Sequence, residues 1–182
     1  MPVYVSLLKG INVGGNRKCP MVDLRALHEE LGHTDVRTLI QSGNVVFRAK
    51  DRNATKLAAT ITDAVEKRFG FRTDIMIRTA AELRQTVAKN PFAARPEVEG
   101  NKLLILFLNG TPTDEAAAKM RAIPADPEEV HLVGNELFIW FPAGMGQTKL
   151  QLPAYERALK LAATGRNLNT VQKLVAMVDA LE

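Results

Sequence analysis

Two hydrophobic periods alternate along the chain. Val3 to Leu8, "VYVSLL", is a short β-rich run that gives way to the glycine-rich stretch "KGINVGGNRKC". Pro20 suits a first helical turn, and Leu24, Leu27 and Leu31 then recur at helical spacing until Gly32. Val36 to Gln41 and Val45 to Ala49 read as two strands joined by "SGN", a hairpin signal. After Asn53, the stripe Leu57, Ile61, Val65 and Phe69 predicts a second helix, and Asp74 to Arg78 a fourth strand. The order β-α-β-β-α-β is that of the ferredoxin-like unit.

The second half begins in the same way. Leu103 to Leu108 predicts a strand, Thr113 to Arg121 a short helix, and Val130 to Val133 with Leu137 to Phe141 a hairpin around "GNE". A helix over Pro153 to Leu161 follows. A last one, capped by Asn169, carries Val171, Leu174, Val175 and Val178 on one face. "SGNVVF" and "VGNELF" align through Gly43–Gly134 and Asn44–Asn135, which suggests a degenerate duplication. The expected fold is therefore α+β, a tandem pair of ferredoxin-like (βαββαβ-type) units with antiparallel sheets and C-terminal helices. The expected boundaries are 1–80, a linking helix and loop over 81–100, and 101–182.

Composition narrows the class. A length of 182 residues with 46% hydrophobic and 24% charged content suits a globular chain with a real core. The longest apolar run, "LLILFL", is too short to span a bilayer, and the N-terminus lacks a basic region followed by a cleavable apolar one. One cysteine excludes an internal disulfide, so the expectation is a cytoplasmic protein without a membrane role. Charge is uneven: residues 1–90 carry 15 Lys+Arg against 9 Asp+Glu, whereas residues 91–182 carry 9 against 11. A basic half of this kind attracts phosphates or nucleic acid.

Topology then points to one edge. The first and second strands of a ferredoxin-like sheet run parallel, so the loop after strand one and the tip of the hairpin meet at the same end. The loop has glycines five apart (Gly10, Gly15), but Asn16 and Arg17 stand where a P-loop has Lys and Ser/Thr. It holds no dinucleotide fingerprint either. What remains is close backbone access at Gly10, Gly14 and Gly15, the side chain of Asn12, and the charges of Lys9, Arg17 and Lys18 ahead of a helix N-terminus. Ser42, Gly43 and Asn44 at the hairpin tip complete the candidate anion site. Lys149, Arg166 and Asn167 are further candidates from the polar stretches "PAGMGQTKL" and "TGRNLNTVQKL". Arg166 just ahead of a positive helix end calls for an anion or, more simply, a salt bridge.

Catalytic sets are thin. His28, His33 and His131 have no partners at metal-ligand spacing, so no metal and no cofactor is expected. Cys19 is the one nucleophile with a rationale, because Arg17, Lys18 and the helix start would lower its pKa. No Ser-His-Asp order or carboxylate pair stands out. Tyr4 is the only aromatic in strand one, which argues against an RNA-recognition sheet.

Taken together, "LLKGINVGG", "IQSGNVVF" and "RNLNTVQKL" resemble the uncharacterised bacterial family catalogued as domain of unknown function 1697 (DUF1697). Lys9 replaces the family's usual arginine and Leu168 its usual tryptophan; Cys19 falls where an aliphatic residue is usual. The resemblance implies two ferredoxin-like units and no particular activity. The functional expectation is a phosphate-bearing ligand, nucleotide or nucleic acid, bound at residues 9–18 and 41–44. An enzyme acting on a small anionic substrate and a non-catalytic protein-interaction module are the alternatives.

Overall fold

The computed structural model describes residues 1–182. The chain divides into two compact units, Met1–Gln85 with Lys173–Glu182, and Thr86–Gln172. The terminal residues 173–182, expected with the second unit, group with the first. Their helix presents the buried Leu174 and Val178, and Arg84 bonds Asp179 at 2.7 Å and also Glu182.

The first unit runs β1 (Val3–Leu8), α1 (Met21–Glu30), β2 (Thr34–Leu39), β3 (Asn44–Arg48), α2 (Ala54–Phe69), β4 (Ile75–Thr79) and α3 (Ala80–Ala88). Its sheet has the order β2-β3-β1-β4 with every pairing antiparallel. That is the ferredoxin-like arrangement, and it explains why β1 is so largely apolar, with Ser6 as its polar exception: it is central and every residue in it is buried. One face, carrying Tyr4, Leu8, Val45, Phe47, Ile75 and Ile77, packs on Leu24 and Leu27 of α1 and on Leu57, Ile61 and Val65 of α2. The helix α2 is bounded as its sequence predicts, with the Asn53 side chain accepting from the Lys56 N–H and Gly70 closing it in the left-handed conformation.

The second unit repeats the plan: β5 (Leu103–Leu108), α4 (Asp114–Arg121), β6 (Glu129–Val133), β7 (Glu136–Trp140), α5 (Leu152–Leu159), β8 (Ala163–Asn167) and the start of α6 (Leu168–Asp179), which from Lys173 on groups with the first unit. Its sheet order is β6-β7-β5-β8, again all antiparallel. Two expectations change here. Residues 163–167, read as a polar stretch, are a strand, because "ATGRN" completes the sheet by pairing with Leu104–Leu108. The cap of the last helix is Asn167, whose Oδ1 accepts from the Thr170 N–H at 2.9 Å; Asn169 instead sits over Gly100.

Equivalent hydrogen bonds correct the repeat alignment by one residue. Leu8 N–H donates to Gly43 O as Leu108 N–H donates to Asn135 O, and Lys9 N–H to Asp74 O as Asn109 N–H to Ala162 O. Gly43 therefore matches Asn135 rather than Gly134, and Asn44 matches Glu136. The duplication also covers a feature invisible to pattern reading. Arg78 pairs with Val5 and Arg166 with Ile105; both guanidiniums are buried, and each Nη1 donates to the carbonyl of the preceding residue. Thr79 caps α3 through Glu82 N–H, just as Asn167 caps α6.

A buried histidine pair lies in the first core. His28 Nδ1 meets His33 Nδ1 at 3.0 Å, and both rings lie against Phe47. Burial, with His33 alongside, pushes the His28 pKa down to about 3, and burial lowers that of His33. The unfolded chain therefore takes up protons first as pH falls. Stability should be fully present above pH ~6.5 and decline from there toward pH 3, with about one proton taken up by His28 on unfolding. Urea titrations at a series of pH values should show this slope, and His28→Leu should reduce it by about one proton.

Candidate functional site

The glycine-rich stretch folds as a miniature hairpin. Asn12 N–H donates to Arg17 O at 3.1 Å, Asn16 N–H donates to Val13 O at 3.0 Å, and Gly14 and Gly15 turn between them with φ of 58° and 76°. Positive φ at both central residues is the primed turn that suits a right-twisted hairpin, which is why two glycines stand there. The stretch is thus a tight two-glycine turn. Gly14 and Gly15 have open space around them.

The side chain of Asn12 ties this turn to its surroundings. Its Nδ2 donates to Cys19 O at 2.9 Å and to Gln41 O at 2.8 Å, and its Oδ1 accepts from Cys19 N–H at 2.8 Å. One amide thereby joins the loop, the start of α1 and the hairpin tip, and the expected convergence of the two loops is met. Gly43 has a packing role: a Cβ there would lie 2.6 Å from Ile11 Cδ1 and 2.9 Å from Leu8 Cβ. Asn44 is buried inside the hairpin, with Nδ2 donating to Leu39 O at 2.9 Å and Ser42 Oγ at 3.0 Å. The expectation that Asn44 offers its amide to a ligand is corrected by that burial, and Ser42 serves as its acceptor.

Basic side chains gather on another flank of the loop. Lys9, Arg17, Arg72, Thr73 and Asp74 line an open cavity of ≈ 330 Å³ at the C-terminal end of β1. Lys9 is placed there by its N–H bond to Asp74 O and by Thr73 Oγ1, which donates to Lys9 O. Arg17 makes no salt bridge; its guanidinium stands 5.9 Å from the Phe71 ring and passes close to Gly10, where a Cβ would lie 3.7 Å from Nη1. Arg72 is shared with Asp63 at 3.0 Å and Glu66 at 2.6 Å, which raises its pKa further. Sequence reading missed Arg72, Thr73 and Asp74, since they reach β1 only through the β1–β4 pairing. Lys18 is exposed and stands outside this lining.

The remaining candidates belong to the second unit. Lys149 is exposed in a loop. Arg166 lies within β8, not ahead of a helix; its Nη1 donates to Thr164 Oγ1 at 2.9 Å and Gly165 O at 2.8 Å, and desolvation pushes its pKa down to about 10. The expected helix-end arginine is instead a buried arginine of a strand. Asn167 is the helix cap described above. Cys19 is buried in the core, and desolvation, reinforced by Asp23, pushes its thiol up to about 12, the reverse of an activated nucleophile. No group of three or more His, Cys, Asp or Glu side chains is placed to hold a metal ion.

The two units differ at this edge. The β1–α1 connection spans residues 9–20, twelve residues, against five (109–113) between β5 and α4. The hairpin loop spans four residues (40–43) against two (134–135). The longer loop carries Lys9, Arg17 and Lys18 without an acid, whereas "NGTPT" carries no charge.

Asn12→Ala should cost ~1–3 kcal/mol, because it leaves the part-buried backbone N–H and carbonyl of Cys19 without this partner, and hydrogen exchange at the Cys19 amide should accelerate with it. Gly43→Ala adds a steric clash to backbone strain and should cost ~2–4 kcal/mol, whereas Gly14→Ala, meeting only the positive φ, should cost ~1 kcal/mol. Urea denaturation of the three variants checks the order.

Comparison with known proteins adds the family and the fold. The chain matches the family model described as a protein of unknown function (DUF1697) over residues 1–138. Among solved structures it is similar to the conserved bacterial protein SP0830 from Streptococcus pneumoniae, with a TM-score of 0.76 and 22% identity over 97% of this chain and 98% of that one. At that identity the likeness is one of fold. A comparison with curated proteins gives no match. No helix is long and apolar enough to cross a membrane. With the tandem ferredoxin-like fold, the glycine loop and a family match covering residues 1–138 of 182, this chain belongs to the DUF1697 family.

Proposed function

We propose that the first unit binds a phosphate-bearing ligand in the cavity at the C-terminal end of β1. The observation that carries this reading is the convergence of Lys9, Arg17 and Arg72 on one open cavity of ≈ 330 Å³ beside an expanded loop. Arg17 presents a guanidinium with no salt bridge, set to take two phosphate oxygens side by side. Lys9 adds a point charge, and Thr73 places it through its backbone carbonyl. Asp74, in the same lining, is an acceptor for a hydroxyl of the ligand. Gly10 lets Arg17 cross the loop backbone closely. Asn12, Gly43 and Asn44 act one step back, holding the loop edge in shape.

The volume is at the low end for small-molecule sites, enough for a phosphate group and a few atoms beyond it. A small phosphate ester is therefore the preferred ligand, and no stacking aromatic lines the cavity to favour nucleobases. Binding without catalysis is the simpler reading, since Cys19 is buried and its thiol raised.

Thermal melting against inorganic phosphate, pyrophosphate, sugar phosphates and nucleotides tests this. A ligand present at 100 times its Kd should stabilise by ~2.7 kcal/mol, several degrees in Tm. Arg17→Gln, an exposed substitution, should leave the unliganded Tm unchanged and weaken binding about tenfold or more. If no compound raises the wild-type Tm, or if Arg17→Gln responds equally, the reading fails. Binding confined to oligonucleotides, with a steep salt dependence, would replace the small ligand by nucleic acid.

A further inference from the structure

Only four large apolar side chains stand exposed in the chain: Met1, Val13 (65% exposed), Val22 (81%) and Ile40 (52%). The last three fall on the three segments that Asn12 ties together. Val13 follows Asn12 in the loop. Ile40 precedes Gln41, whose carbonyl accepts from the Asn12 amide, and Val22 lies one turn beyond Cys19, bonded to that amide twice. Exposed apolar residues scattered singly are ordinary; three gathered at one edge are not.

Two further observations separate this patch from chance. Ile40 is held at φ 50°, a conformation costly for a β-branched residue and easy for glycine or asparagine. Folding by itself therefore disfavours isoleucine there. The second unit, built on the same scaffold, closes the corresponding edge with loops of five and two residues and exposes no large apolar side chain in them. The scaffold does not need what the first unit adds.

We propose that Val13, Val22 and Ile40, with Arg17 and Lys18 of the same edge, form a docking surface for an acidic polypeptide segment of a partner protein, one that carries apolar anchors between its carboxylates. Charge selects this occupant. Residues 9–20 hold Lys9, Arg17 and Lys18 and no acid, Asp23 being the first. A second copy would bring like charges together across the contact, which costs affinity. Nucleic acid would want stacking aromatics, and the patch has none. A membrane surface would want Trp, Phe or Leu anchors rather than two valines and an isoleucine. Arg17 is shared with the cavity lining, whereas Val13, Val22, Ile40 and Lys18 lie outside it, so the apolar residues separate this inference from the phosphate reading.

Panning a displayed library of random 16-residue peptides on the full chain tests it. Recovered peptides should be rich in Asp and Glu with interspersed Leu, Ile or Phe, and their binding should weaken as salt rises. The triple variant V13S/V22S/I40S should bind them at least tenfold less tightly, whereas Arg72→Gln, which alters the cavity lining outside the patch, should bind them as the wild type does. Ile40→Asn, which suits the left-handed turn, serves as a second variant that keeps the fold and should also lose binding. Failure to recover any acidic peptide, or equal binding by the triple variant, overturns the inference. So does finding that the patch instead supports dimerisation by light scattering or binding to phosphatidylserine vesicles.

Discussion

The first unit is organised by the confinement of Val3–Leu8 between two antiparallel neighbours. Both edges of β1 are hydrogen-bonded and both of its faces are buried, so no functional group can be placed along it. Chemistry is pushed to where the strand ends. Leu8 and Lys9 still donate to Gly43 O and Asp74 O, and these two bonds bring the hairpin tip and the start of β4 to the strand's exit. Everything polar in the candidate site lies within a few residues of that exit.

From there the side-chain amide of Asn12 takes over. A loop of twelve residues with five positive-φ positions, Gly10, Asn12, Gly14, Gly15 and Arg17, would be loosely ordered if left to itself. Three hydrogen bonds from one amide turn it into a defined ledge between helix start and hairpin tip. The ledge then has two flanks, a basic one around Lys9 and Arg17 and an apolar one around Val13 and Ile40. The duplicated second unit supplies the internal contrast, since it keeps the sheet, the helices and the buried strand arginine while its two loops at this edge are short connections.

Much of the fold was legible because its signals are local. Apolar runs marked β1 and β5, heptad-like leucines marked α1, and Asn53 and Gly70 bounded α2. The site was legible only as a place. Lys9 and Arg17 were visible in the glycine-rich stretch, but Arg72 is distant in sequence and enters through β1–β4 pairing. Asn44 looked like turn chemistry open to a ligand, and burial in the hairpin gave it two internal acceptors instead. Residues 163–167 lacked any alternating pattern, because a strand buried in a sheet with a small residue at Gly165 and an arginine at 166 has no local signature.

The sequence by itself determined the two α+β units, the strand order of the first and the edge at which the glycine loop meets the hairpin. Those follow from period, turn residues and the limited ways a β-α-β-β-α-β string can fold. Only the tertiary structure decided which side chains are spent on holding that edge and which are left to meet a ligand. Asn12, Gly43, Asn44 and Arg166 look no different from Lys9 and Arg17 in a string of letters. Burial and hydrogen-bond satisfaction separate them, and both depend on neighbours that the chain supplies from far along its length.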